Sequence, residues 1–463
     1  MQTLPSDSGS GLLLAPFRGI RYARDRVSGI ANVTSPPYDV ISDAILDHLR
    51  AADPHNVVRL ILPGKDAGAS KVAASSLREW LSSGVLIRDR TPAFYLYEQS
   101  RDGEAPAEPG PGGPGGASRS LQRGIVALVG LGTPESAGIL PHEGVMPGPV
   151  AGRRELMEAT EANLEPIFLI YDGEEAGTGN RDRPAAAEII ARIATERAPL
   201  IMITTEDHVT HRLWRLGDPS EQAAITNDLA GRRALIADGH HRYAAYLDLR
   251  NEMRASGLGA GPWDYGLAFL VDSAAYPPRL GAIHRVLPGL PPGRAAELAK
   301  AAFTVQDLPA GLSLQDAQRR LAAAGQQGTA FLLAGGTLFW LLSHPDPVQV
   351  AASMPEGISE SWRSLDASVL QQLLLGQLWN INDNECNVLI DHDAADAVRA
   401  VTGDPGSFGG TAAGGTAVIS NPVSFQSVIE IAALGERVPR KSTSFGPKPR
   451  TGLVLRTFGP SDS

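Results

Sequence analysis

The stretch ALIADGHHRYAAYLDLRNEMR, residues 234 to 254, carries the plan of the fold in twenty-one residues. Its first four residues are small or apolar and suit a buried strand, Asp238-Gly239 is a turn signal, and the run from His240 has good helix propensity. Strand, tight turn, helix is therefore the predicted order. Working outward, RRELMEATEANLEPIF predicts a helix from Arg153 that ends before Pro166, where the strand IFLIYD begins. A helix over Arg183 to Arg197 leads to the strand PLIMITT, and downstream come GLAFLVD and RLGAIHRVL. Further back, Ser42 to Trp80 reads as mostly helical with an apolar strand NVVRLILP, followed by strands AFYLYEQ and RGIVALVGL. TAFLLA and TLFWLLS flank a Gly-Gly hairpin turn. This alternation predicts an α/β (or α+β) chain with mixed sheets.

Length and composition set the bounds. At roughly 150 residues per domain, 463 residues suffice for two or three domains and a sizeable core. Hydrophobic residues at 43% and charged residues at 20% place the chain among ordinary globular proteins, not disordered ones. The net charge of −10 repels a phosphate backbone, so nucleic acid is disfavoured as a partner. A single cysteine, Cys386, allows neither an internal disulfide nor a cysteine-rich zinc site, and fits a reducing cytoplasm. The longest apolar run, 330 to 342, is broken by Gly335-Gly336-Thr337 and is too short for a membrane span; the first residues carry no secretory signal. Fifty glycines and 35 prolines imply many turns and long loops. Two Gly-rich segments stand out: a Pro/Gly-rich insertion at 101–120 between two strands, and a loop at 403–416.

The chemistry-bearing residues fall into a few groups. Asp238, Gly239, His240, His241 and Arg242 bring an acid, two imidazoles and a guanidinium to one strand-to-helix turn. Unpaired N–H groups at the helix start favour an anion there, Gly239 admits close backbone approach, and Arg242 is suited to fork onto a phosphate. The bland alternative is that Asp238 only caps the helix. His142-Glu143 precede a Pro/Gly-rich loop and lack the second histidine of a zinc-protease motif, so they read as a proton-transfer pair, as two nitrogen and oxygen ligands, or as a solvated loop. Towards the C-terminus, RVPRKSTSFGPKPR gathers Lys441, Lys448, Arg437, Arg440 and Arg450 with Ser442 and Thr443, a basic, hydroxyl-rich stretch suited to phosphate. Tyr38 and Asp39 follow the rigid Pro36-Pro37, and His284-Arg285 form another imidazole-guanidinium pair. P-loop, nucleophile-elbow and dinucleotide-binding templates are all absent.

The motifs PFRGIRY, SPPYDVIS, NVVRLILP, LPHE, EATEANLEPIF, ADGHHRY, IHRVL and RKSTSFGPK, in this order, resemble those of domain of unknown function family 1015. The resemblance runs from Pro16 to Leu453 and implies one family-wide unit, residues 16–455, of two closely packed subdomains. The string DGHHR is also similar to the phosphate-binding strand-turn-helix of the ParB, sulfiredoxin and free-serine-kinase fold. That likeness implies a phosphate and catalytic role for Asp238, Gly239, His240, His241 and Arg242. In the serine kinases a separate acid activates the substrate hydroxyl; here Glu143 or Asp39 is the candidate.

The expectation is thus a phosphotransferase on a small hydroxy compound, namely serine or phosphoserine. It would act as a kinase with ATP, ADP or pyrophosphate as donor and Mg²⁺ as cofactor, or as a phosphatase with water as acceptor. Asp238, His240, His241 and Glu143 would be catalytic. Gly239, Arg242, Lys441, Ser442, Thr443 and Lys448 would bind phosphate. Tyr38, Asp39, His142, His284 and Arg285 would line the substrate. The competing expectation is a ParB-like nucleotide-binding regulatory or scaffold protein. A cytoplasmic, membrane-free homodimer is the base-rate expectation for either.

Overall fold

The computed structural model describes residues 11–64, 66–101, 120–132, 138–173, 185–384, 386–403 and 412–459. It is an α/β structure whose chain divides into two compact units, one of residues 1–140, 145–277 and 447–463, the other of 141–144 and 278–446.

Unit 1 is built on a mixed sheet of nine strands among the described residues. In chain order these are β1 (Leu14–Ala15), β2 (Phe94–Arg101), β3 (Ser120–Gly130), β4 (Ile139–Leu140), β5 (Ile167–Tyr171), β6 (Ile201–Thr204), β7 (Val209–Leu216), β8 (Ala234–Asp238) and β9 (Tyr265–Asp272). The spatial order is β4-β8-β5-β9-β3-β2-β7-β6, with β1 added alongside β3. β8 runs parallel to β4 and β9 parallel to β5, while the other pairings are antiparallel. Both faces of the central strands are covered, which is why β5 and β9 read as near-continuous apolar runs.

One face carries Leu96, Ile125, Leu169, Ile236 and Leu270 and packs on helices. These are α3 (Pro147–Thr160), α4 (Ala186–Glu196), α5 (Pro219–Leu229) and α6 (His240–Ala255); α1 (Asp43–Ala52) and α2 (Ala69–Ser82) precede them. The other face carries a layer of rings, with Phe269 5.1 Å from Tyr97 and 5.6 Å from Phe168. Tyr95, Tyr97 and Gln99 alternate along β2 on that face, so it is apolar at one end and polar at the other.

Unit 2 holds a second sheet of β10 (His284–Leu287), β11 (Thr304–Asp307), β12 (Phe331–Gly335), β13 (Leu338–Ser343), β14 (Leu389–Asp391) and β15 (Thr416–Ser420). Their order is β11-β13-β12-β15-β10-β14, all antiparallel. Leu332, Ala334 and Ile419 of this sheet share a core with Ala317 and Leu321 of α7 (Leu314–Gly325) and Ala397 of α8 (Ala394–Thr402). The hairpin expected at Gly335-Gly336 joins β12 to β13, with Gly336 at φ +61°.

Three sequence expectations need correction. NVVRLILP is a buried helical turn, Val58–Ile61, and not a strand: the Asn56 side chain accepts the Val58 N–H and Asp53 accepts that of His55, which favours a turn over extended chain. The helix expected from Arg153 starts at Pro147, whose fixed φ suits the first turn. RLGAIHRVL divides into Arg279–Gly281 and β10. Most of the 101–120 insertion and of the 403–416 loop lies outside the described residues. Among those described, no helix is long and apolar enough to cross a membrane.

Candidate functional site

The site begins with a bulge. Along β8, Ile236 pairs with Leu169 of β5, but the next β5 residue, Phe168, pairs with Asp238 and skips Ala237. Without that extra residue Asp238 would fall on the same face as Ile236, inside the helix-covered core. The bulge turns its carboxylate to the ring-bearing face instead. Gly239 then caps α6 at φ +95°, a conformation costly for other residues, and a Cβ there would meet Arg242 Nε at 3.0 Å and Ile167 Cγ2 at 3.1 Å.

Arg242, one turn into α6, is 4% exposed and closes back on Asp238 through Nη2. Its Nη1 donates to the Pro166 carbonyl at 2.6 Å, and its plane lies 5.7 Å from the Tyr38 ring centre. Burial works against this charge, but Asp238, Glu165 and Asp39 outweigh it and raise the guanidinium pKa. A residue expected to fork onto phosphate is thus already engaged with the protein, and what it does here is hold Asp238.

The cation that reaches the surface of the cluster is Lys448. Its Nζ stands 2.5 Å from Asp238 Oδ1 and 2.5 Å from Asp39 Oδ2. Burial disfavours the ammonium, yet the two carboxylates prevail and raise its pKa. Asp39 is 35% exposed; burial alone would lift its pKa, but Lys448 first and Arg242 second pull it below the ordinary carboxylate value. Asp39 comes from a short 3₁₀ turn, Tyr38–Val40, entered from extended Pro37.

Two further side chains complete the cluster. Glu165 is buried, accepts the Tyr38 N–H at 3.2 Å and the Thr451 hydroxyl at 3.3 Å, and lies 3.8 Å from Arg153 Nη1. Burial raises its pKa against the pull of Arg242 and Arg153. The Arg153 guanidinium stacks 4.3 Å from the Tyr38 ring centre. The cavity behind Arg242, Glu165 and Arg153 measures about 20 Å³, far too small for a substrate, so the part-exposed Lys448 and Asp39 mark where a ligand would meet the site.

Lys448 is brought here by backbone contacts from residues far away in the chain. Gln99 of β2 donates through Nε2 to the carbonyls of Pro447 at 3.1 Å and Lys448 at 3.2 Å. The Tyr97 hydroxyl accepts the Arg450 N–H at 3.1 Å, and Ser35 and Thr451 exchange backbone bonds of 3.1 and 2.9 Å. Arg450 Nε donates to Thr34 Oγ1 at 2.7 Å. His241 is also fixed: its Nε2 accepts the Met146 N–H at 3.1 Å at the start of α3, which leaves the ring proton on Nδ1. His240 is buried at the first position of α6.

The remaining candidate residues belong to unit 2. Thr443 donates its hydroxyl proton to Glu143 at 2.9 Å and stands 2.8 Å from His142 Nε2. A hydroxyl has one proton, so the imidazole is the donor in the second bond. Ser442 donates to the Pro439 carbonyl at 2.6 Å, and Lys441 is exposed at φ +53°. Arg285 is buried and donates to the carbonyls of Arg440 and Lys441 at 2.9 and 3.0 Å; burial lowers its pKa to about 10. His284, likewise buried, accepts the Ser420 N–H at 3.3 Å and is lowered by burial to about 4. The basic C-terminal stretch does not pool its charge: Arg440 pairs with Asp383 at 2.8 Å, Arg450 bonds Thr34, and Lys448 lies between carboxylates.

Sequence reasoning therefore marked Tyr38, Asp39, Asp238, Gly239, Arg242 and Lys448, which the fold gathers in unit 1. It missed Glu165, Arg153, Tyr97 and Gln99. Glu165 had a readable signal, a lone carboxylate set between Leu164 and a buried apolar strand.

The model of the family described as "Protein of unknown function (DUF1015)" matches residues 14–368, and the chain belongs to that family. No curated protein matches. Among solved structures, a free serine kinase in complex with AMP is similar at 15% identity and a TM-score of 0.31, over 67% of this chain and 84% of the kinase. SbnI from Staphylococcus aureus, truncated at its C-terminus, is similar at 12% identity and a TM-score of 0.32, over 70% of this chain and 88% of that one. A conserved hypothetical protein from Pyrococcus furiosus is similar at 14% identity and a TM-score of 0.31, covering 69% of this chain and 92% of its own.

Proposed function

We propose that the Asp39–Lys448–Asp238 cluster transfers a phosphoryl group to a small hydroxy compound, with serine as the acceptor. The observation that carries this reading is the single ammonium held 2.5 Å from each of two carboxylates beside the N-terminus of α6. The ammonium and the first N–H groups of the helix offer positive charge to a phosphate, and Gly239 keeps a side chain out of the way. Asp39, ionised and part-exposed, would take the proton of an attacking hydroxyl. Arg242 positions Asp238, and Glu165 and Arg153 position Tyr38 beside Asp39. This assigns the base role to Asp39 and leaves Glu143 to hold Thr443.

The donor is ATP, ADP or pyrophosphate. Mg²⁺ commonly binds through one or two carboxylates together with substrate phosphates; here Arg242 and Lys448 take both oxygens of Asp238 and Asp39 serves the proton, so the cluster does not fit a protein-held ion and Mg²⁺ would enter on the phosphates of the donor. Bound there it would neutralise charge on the phosphates. Among the described residues no group of three or more His, Cys, Asp or Glu side chains is close enough to bind a metal unaided, so substrate oxygens would have to complete the coordination.

Phosphorus NMR of the full chain with Mg²⁺, L-serine and each donor in turn tests the proposal. A new phosphomonoester signal that disappears in Asp39→Asn supports it and names the donor. With O-phospho-L-serine alone, release of free phosphate would make the enzyme a phosphatase. If neither occurs while a nucleotide still raises the melting midpoint, the transferase reading fails and a nucleotide-binding regulator replaces it.

A further inference from the structure

A second charged feature lies in unit 1 on the opposite face of β2. Glu98 and Ser100 alternate with Tyr97 and Gln99, so they point away from the Lys448 stretch and towards α4. Across the three neighbouring strands Glu98 pairs directly with Arg212 of β7 and with Arg123 of β3, making a rung of arginine, glutamate and arginine. Arg123 forks onto Glu98 Oε2, with Nε at 2.7 Å and Nη2 at 2.5 Å, and reaches the Tyr276 hydroxyl at 3.0 Å through Nη1. Arg212 uses only Nη1, which donates to Glu98 Oε1 at 2.7 Å and Ser100 Oγ at 3.1 Å.

The rung therefore carries one more positive charge than negative. One arginine would satisfy Glu98, which is 6% exposed; the second is 28% exposed and has donors that bond nothing among the described residues. These donors border a hollow of about 290 Å³ whose other walls include Trp214, Leu121 and Ala194. A guanidinium that shares Glu98 with a second arginine is left short of counter-charge beside this apolar wall, and its free edge matches two oxygens of a carboxylate or phosphate.

We infer that this hollow is a binding site for a small anionic metabolite, its carboxylate or phosphate on Arg212 and its carbon skeleton against Trp214 and Leu121. It is distinct from the Lys448 cluster and does not depend on the proposed transfer reaction.

The test is titration of the full chain at low ionic strength with inorganic phosphate and, separately, with citrate, reading binding heat and tryptophan emission. Saturable binding is expected, with an emission change that Trp214→Phe removes. Arg212→Gln leaves Glu98 paired one-to-one with Arg123, so its fold is expected to persist, and it should weaken binding by about tenfold or more, equivalent to about 1.4 kcal/mol. Arg212→Lys keeps the charge without the fork and should fall between the two; it serves if Arg212→Gln does not fold. Tighter phosphate points to a phosphorylated ligand, tighter citrate to a carboxylated one. Unchanged affinity in Arg212→Gln, or no saturable binding to the natural chain, overturns the inference.

Discussion

Lys448 shows how one side chain can set the state of its neighbours. Replacing it by methionine would leave Asp39 and Asp238 facing each other without the shared ammonium. Removing one partner of a fully buried pair costs roughly 3–5 kcal/mol; this one is part-exposed, so Lys448→Met should cost about 1–2 kcal/mol at neutral pH. The pH dependence follows from Asp39. Its folded pKa is depressed, so its stabilising contribution is present above the unfolded value near 3.9 and disappears as pH falls through the lower folded value. Thermal melts of the natural chain and Lys448→Met should therefore converge as pH drops below about 4. Arg242→Ala is a harsher change: it leaves Asp238 with Lys448 alone, strips the Pro166 carbonyl of its donor and opens a buried gap, and should cost roughly 3–5 kcal/mol, seen as a melting midpoint lowered by many degrees. Arg242→Lys should recover only part, since it cannot serve Asp238 and the Pro166 carbonyl with one planar fork.

At the level of elements, strand β8, its turn and helix α6 were legible because the signal is local: a short apolar run, Asp-Gly, then helix formers. The bulge at Ala237 was not, since nothing in ALIAD distinguishes a regular strand from one that gains a residue against β5. Gln99 and Tyr97 were overlooked for another reason. Their partners lie some 350 residues further on, and polar residues on one face of AFYLYEQ fit an exposed edge as well as a buried network. NVVRLILP misled because its β-branched composition favours a strand, whereas Asn56 and Asp53 impose a turn through side-chain bonds. The network that tethers residues 447–451 can be probed without any assay of activity. Tyr97→Phe removes the acceptor of the Arg450 N–H, and an unsatisfied buried group of this kind costs about 1–3 kcal/mol. Hydrogen exchange at the Arg450 amide should accelerate in this variant, while amides of β5 and β9 keep their protection.

For the whole molecule, each unit buries a neutral imidazole. Burial, reinforced by Arg450, lowers His211 to about 3, and burial lowers His284 to about 4. In the unfolded chain both would titrate near 6.5, so between that pH and about 4 the unfolded state binds more protons and stability falls as pH falls. The melting midpoint should decline steadily on acidification from pH 7 to pH 4. His211→Gln should show a shallower slope over that range, whatever its midpoint at neutral pH; parallel curves would mean that other groups govern the acid limb.

The discontinuity of unit 1 also has a consequence for biosynthesis. Its chain departs after residue 277 and resumes at 447, and the two carboxylates that share Lys448 stand 409 and 210 positions upstream of it. During translation, Asp39 and Asp238 leave the ribosome long before their ammonium, with all of the second unit's main segment made in between. A nascent or prematurely stopped chain thus holds both carboxylates with Arg242 but without the ammonium they share, so this cluster is completed only once residue 448 docks.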